Sequence, residues 1–191
     1  PFQMDAGSFG QSDGYVAMTL AYGHICQLTP YNAQESAERY YLIQPVQPYY
    51  AMIPVSTIAY WNGRALVLSS EALATDAHLN RQICVEYSNG FKVWANQGDS
   101  SWPIETAQGL FVLPRNGFYA VNAKGDVCSY SATISDPADA QKQLWVDYAH
   151  GPDSIFLNTR NAVVSFPAVA GNGQFALKRE KSGWELIPVK G

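Results

Sequence analysis

The side chains of this chain best suited to chemistry are its tryptophans and the amides and acids beside them. Trp61, Trp94 and Trp102 fall near hairpin-like turns, with Tyr60 and Tyr87 close by in sequence. A sugar ring offers an apolar C–H face to an aromatic ring, and Asn62, Asn96, Gln97 and Asp99 supply partners for its hydroxyls. The candidate carbohydrate-binding set is therefore Trp61, Trp94, Trp102, Asn96 and Asp99, with a polysaccharide or oligosaccharide as partner. The competing use of a strand tryptophan is core packing. Trp102, in the run Asp99-Ser100-Ser101-Trp102-Pro103, is the one expected to be exposed in a loop.

Other chemistries find less support. Ala6-Gly7-Ser8-Phe9-Gly10 approximates a nucleophile elbow, with Ala for the first Gly. An elbow lifts its serine above a parallel sheet, and no strand–helix alternation downstream supplies one. Glycoside hydrolysis needs two carboxylates at a set separation, and Asp5 and Asp13 lie together in the glycine-rich front. Asp13 reads rather as a helix cap and Asp5 as an ordinary loop acid. His24, His78 and His150 share no ligand spacing, so no metal centre is expected. Calcium at Asp99 with Ser100 and Ser101, or at Asp147 and Asp153, is the remaining option, without an EF-hand register. The spacing of Gly7, Gly10 and Gly14 is not the dinucleotide fingerprint, and no organic cofactor is expected. Cys26, Cys84 and Cys128 show no metal-binding spacing and read as buried thiols. An odd count leaves at least one thiol free and one disulfide open.

Composition limits what could position these groups. Of 191 residues, 15% are charged, against roughly 25% in ordinary soluble chains. The 12 basic residues are scattered within a net charge of −4, which excludes a nucleic-acid partner that needs clustered cations. No run of about 18 apolar residues exists to form a membrane-spanning helix. A hydrophobic content of 47% argues for a folded chain. The opening Pro1-Phe2-Gln3-Met4-Asp5 lacks an initiating Met, so a processed protein or an excised piece of a larger one is expected.

The pattern divides the chain near residue 54. Tyr15, Met18, Tyr22 and Ile25 follow Asp13 at helical spacing, and Val16, Leu20 and Ala21 make the opposite face apolar too. Such a helix expects burial against more than one neighbour; unless it packs within this chain, its surface should drive association. A second helix is predicted after Asn32, with Glu35 completing a capping-box-like start and Pro45 ending it. Beyond Pro54 the period becomes two, and about a dozen short strands follow. Asn62-Gly63, Asn89-Gly90, Asn116-Gly117, Lys124-Gly125 and Ser182-Gly183 supply the positive φ of tight turns. Asn89-Gly90, between Val85-Glu86-Tyr87 and Phe91-Lys92-Val93, is the strongest hairpin signal. The predicted fold is mainly β: a short helical N-terminal segment over 1–53 and an antiparallel β-sandwich over 54–191, with a joint near 135–140.

The order of segments resembles the C-terminal end of large bacterial glycoside hydrolase-like proteins. Asp13-Gly14-Tyr15, Leu20-Ala21-Tyr22-Gly23-His24 and Tyr40-Tyr41-Leu42-Ile43-Gln44-Pro45 look like the last helices of a catalytic barrel. The runs Val85–Asn96 and Leu113–Ala120 are similar to the "Tyr-x-Asn-Gly" and "Leu-Pro-x-x-Gly-Phe" segments of the β-sandwich that follows such barrels. The resemblance covers roughly residues 5 to 125. It implies an accessory β-sandwich, inactive alone, whose partners are a preceding catalytic domain and a polysaccharide. A barrel needs about 250 residues, so no catalytic pair is carried over. A secreted or periplasmic setting is the matching expectation. The rival readings are a stand-alone carbohydrate-binding or surface-adhesion sandwich and a structural or assembly protein.

Overall fold

A computed structural model describes residues 12–26, 33–136, 139–160, 164–166, 169–171, 173–181, 183–187 and 189. The predicted elbow at Ala6–Gly10, Asp5 and the Asn32 cap lie outside the described residues.

Among the described residues, three α-helices precede or interrupt fourteen strands: α1 (Ser12–Ala21), α2 (Ala33–Ile43) and α3 (Ser69–Ala74). The strands are β1 (Val55–Trp61), β2 (Leu66–Leu68), β3 (Gln82–Tyr87), β4 (Lys92–Asn96), β5 (Trp102–Thr106), β6 (Gly109–Leu113) and β7 (Phe118–Val121). Then follow β8 (Cys128–Asp136), β9 (Asp139–His150), β10 (Ser154–Asn158), β11 (Val164–Phe166), β12 (Val169–Gly171), β13 (Gln174–Glu180) and β14 (Gly183–Ile187). The mainly β, antiparallel prediction holds. Twelve strands are hydrogen-bonded into one sheet, ordered β14-β13-β10-β9-β8-β7-β4-β3-β1-β2, with β5 and β6 attached through β8. β11 and β12 form a separate pair.

Alternation along the strands gives the sheet two buried faces. Ile83, Val85, Tyr87, Val93, Ala95, Phe118, Ala120, Ala149 and Phe156 point to the face that carries the helices. There α1 lies against β3, β4 and α2, and Tyr15, Val16, Ala17, Leu20 and Ala21 are all buried. The all-round apolar character of α1 is thus satisfied within the chain, and only Tyr22 and Ile25 beyond it remain exposed. α1 begins at Ser12, so Asp13 sits inside the helix rather than before it.

The opposite face is covered by the β5–β6 hairpin, which lays Trp102, Ile104, Phe111 and Leu113 over Tyr119, Tyr130, Ala132, Leu144 and Val146. Trp102 is only 1% exposed. This corrects the expected exposed loop: Pro103, in a short strand, hid the period-two pattern Trp102, Ile104. Beside the hairpin runs a row of cross-strand aromatic neighbours, Trp94, Tyr119, Tyr130 and Tyr148. Their ring centroids are 5.8, 6.0 and 5.2 Å apart. Burial pushes the phenols of Tyr119 and Tyr148 up to about 12.

The Asn89-Gly90 turn is the tight hairpin expected between β3 and β4. Tyr87 N–H donates to Phe91 O at 2.8 Å, and Gly90 has φ +79°. All three cysteines are free thiols, and burial pushes Cys84 up to about 12 and Cys128 to about 11. No helix among the described residues is long and apolar enough to cross a membrane.

Candidate functional site

At one end of β1, a cleft of about 620 Å³ opens beside Trp61. Two short stretches build its floor. The first is the 3₁₀ turn Ala77–Asn80, bracketed by Asp76 at φ +57° and Arg81 at φ +55°. These left-handed residues let the chain reverse twice in a few positions, which delivers Asn80, Arg81 and Gln82 to the cleft wall. Asn80 Nδ2 donates to Trp61 O at 3.0 Å, tying the turn to the end of β1. The second stretch is the loop Gly98–Ser101 between β4 and β5.

Asn96 organises that loop. It is fully buried; its Nδ2 donates to Ser100 O and Leu113 O, both at 2.8 Å, and its Oδ1 accepts from Gly98 N–H at 3.0 Å. Gln82 Nε2 adds a bond to Ser100 O at 3.2 Å, and Gln97 N–H donates to Arg81 O at 2.8 Å. The loop and the turn are therefore one preorganised wall. Gly98 is required where the two meet, because a Cβ there would collide with the Asn80 carbonyl oxygen. Gly98→Ala is expected to lower stability by about 1–3 kcal/mol, since backbone rather than a flexible side chain must give way. Urea denaturation checks this, and a loss under about 0.5 kcal/mol would mean that the wall yields freely.

The five sequence candidates separate here. Trp61 lines the cleft and packs on Trp102, with ring centroids 6.0 Å apart. Asp99 stands on the rim, 87% exposed, paired with Arg115. Trp102 lies behind the wall as core, and Asn96 holds the wall's backbone. Trp94 is elsewhere on the sheet, half-buried in the aromatic row against Tyr119. Arg81, Asn80 and Gln82 were not singled out in the sequence. Their signal was a polar run between two strands, which any loop shares.

A second polar constellation was also missed. On the helix face, Asp147 of β9 is completely buried and held by a two-pronged contact from Arg160, whose Nε and Nη2 donate to Oδ2 and Oδ1, both at 2.8 Å. The guanidinium lies over the Trp145 ring, 4.3 Å from its centroid. Glu38 of α2 hydrogen-bonds to Asp147, and Asn158 Nδ2 bridges the two at 3.0 and 3.1 Å. Gln174 Nε2 donates to the other Glu38 oxygen at 3.2 Å. Burial and the adjacent Asp147 push the Glu38 carboxyl up to about 7. Arg160 grips Asp147 and not Glu38, so Glu38 is the carboxyl whose charge this site disfavours. A hollow of about 620 Å³ opens beside this group.

Among the described residues, no cluster of three or more His, Cys, Asp or Glu side chains is placed to hold a metal ion. Asp99 is occupied by Arg115 and Asp147 by Arg160, so neither presents a bare carboxylate for calcium. No protein-family model, curated protein or solved structure matches this chain.

Proposed function

We propose that this chain is an accessory, carbohydrate-binding portion of a glycoside hydrolase-like enzyme, without turnover by itself, and that the saccharide seats in the Trp61 cleft. The observation that carries this reading is the cleft's make-up. A half-buried indole forms one side, and amide, hydroxyl and guanidinium groups of Asn80, Gln82, Ser100, Ser101 and Arg81 surround it. An apolar face with a few fixed polar groups is the combination that binds a sugar ring. The wall is rigid before any ligand arrives, which lowers the entropy lost on binding.

Lack of turnover is supported by the carboxyl pair. Glu38 and Asp147 are in hydrogen-bond contact. Glycoside hydrolysis uses carboxyls about 5–9.5 Å apart, with a sugar or a water between them. A neighbouring catalytic domain as partner is supported by exposed apolar side chains around β1, β2 and α3, among them Val55, Ile58, Leu66, Leu68 and Leu73.

Screening the chain on a glycan array, followed by calorimetry on the best hit, tests the reading. Trp61→Ala is expected to weaken binding by about tenfold to a hundredfold, the loss of most of one aromatic contact area. Unchanged affinity in that variant would remove the cleft from the proposal, and glycoside turnover by the isolated chain would overturn the accessory role.

A further inference from the structure

We infer that the Trp61 cleft selects saccharides bearing an anionic substituent, a uronate carboxylate or a sulfate ester, and that Arg81 is the residue that reads the charge. This rests on the binding role just proposed and adds to it the chemical class of the ligand.

Arg81 and Asp99 are the charged residues that line the cleft. Asp99, exposed on the rim, is already paired with Arg115. Among the described residues, Arg81 forms no ion pair and no side-chain hydrogen bond, so the cleft carries an uncompensated guanidinium.

The backbone of Arg81 is fixed although its side chain is not. Its N–H donates to His78 O at 3.2 Å, its carbonyl accepts from Gln97 N–H at 2.8 Å, and its φ is +55°. A non-glycine residue in this region is strained where glycine would not be. The strained position therefore holds a cation at the cleft. A guanidinium offers paired donors in a plane that matches the oxygens of a carboxylate or a sulfate. An ammonium or amide would not reproduce that fork.

A neighbouring hollow lies close by. Of about 480 Å³, it is lined by Asn62, Arg64, Asp76 and Asn80, and Asn80 belongs to both. Arg64 is exposed there, its N–H held by Asn62 Oδ1 at 2.9 Å. Asp76 lines the same hollow as Arg64, so that hollow carries one charge of each sign. The acidic sugar residue is the one placed beside Arg81 and Trp61, with Asn80 standing between the two hollows.

The test compares ligands that differ only in charge. Calorimetry would be run on the whole chain with an oligogalacturonate, its methyl ester, and a sulfated galactan oligosaccharide beside its desulfated form. The expected result is that at least one anionic ligand binds about tenfold or more tightly than its neutral counterpart, with an advantage that shrinks as salt rises. Which pair discriminates tells carboxylate from sulfate. Arg81→Asn keeps a residue that tolerates the left-handed region, and it should bring the charged-to-neutral affinity ratio close to one. Arg81→Lys should retain only part of the preference. Equal affinity for charged and neutral partners, or a preference that survives in Arg81→Asn, overturns the inference while leaving saccharide binding intact. Absence of binding by every saccharide overturns both.

Discussion

Asp147→Ala is expected to lower the stability of the fold by about 3 kcal/mol or more, a large part of what a domain of this size possesses. The side chain is completely buried and takes both prongs of Arg160, one donor of Asn158 and the hydrogen bond from Glu38. Its removal leaves all three groups short of a partner inside the helix face. The cost lies in that stranding, because a guanidinium left without its carboxylate is far worse than no ion pair at all. Two comparisons isolate this cause. Asp147→Asn keeps the shape and one acceptor and should lose less. Asp147→Ala introduced on top of Arg160→Ala should cost less than Asp147→Ala alone, the sign of a coupled pair. Guanidinium denaturation reads all of these. A loss under about 1 kcal/mol for Asp147→Ala would mean that the cluster is ornamental to the packing of α2.

Glu38→Gln is expected to act in opposite directions at the two ends of the pH range. The folded-state carboxyl is raised to about 7, above its ordinary value of 4.5. Below the ordinary value Glu38 is protonated in both the folded and the unfolded chain, and its burial carries no ionisation cost. Between 4.5 and about 7 the unfolded chain releases the proton while the folded one retains it, so stability falls as pH rises. Above about 7 the loss levels off. The full span amounts to roughly 3 kcal/mol. A glutamine cannot ionise, and it can still donate to Asp147. It lacks the second acceptor oxygen, so either Asn158 or Gln174 loses its bond. The variant should therefore be slightly less stable than the parent at about pH 4 and roughly 2 kcal/mol more stable at about pH 8. Parallel stability profiles for the two proteins would rule out Glu38 as the titrating group.

Much of the fold was legible because it is written in alternation and turns. The change of period at Pro54, the run Gln82–Tyr87 and the Asn89-Gly90 hairpin all reappear in the structure, since each is a local rule obeyed locally. Asn116-Gly117 shows where the rule slips. Asn116 carries the positive φ of +67°, and the turn leads from β6 to β7, which pair with other strands rather than with each other. β5 was hidden by Pro103, which occupies a position where its missing N–H breaks the expected strand composition. The candidate site was less legible. Asn96 looked like a sugar-binding amide and is a backbone clamp, a difference set by which way a buried side chain turns. Asp147 did carry a readable sign, because it shares strand parity with Ala149 on a buried face, where an acid needs a partner. That partner, Arg160, is on a different strand connection and could not be named in advance. Glu38 lies on a half-buried helix face, where an acid excites no attention until its surroundings are known.

The contacts of Glu38 also have a meaning in time. The sheet largely follows chain order, so most strands can pair with a neighbour made just before them. α2 is different: Glu38 is joined to Asn158 and Gln174 across 120 and 136 residues. A growing chain can form the β3–β4 hairpin long before those partners exist. During that interval α2 is held by its apolar contacts and by Arg39 lying over the Tyr15 ring, and Glu38 gains its distant partners only once β10 and β13 have been made. The polar cluster is then a seal that closes after the β3–β4 hairpin, and its acid–base state is set by the surroundings the chain meets once β10 and β13 are in place.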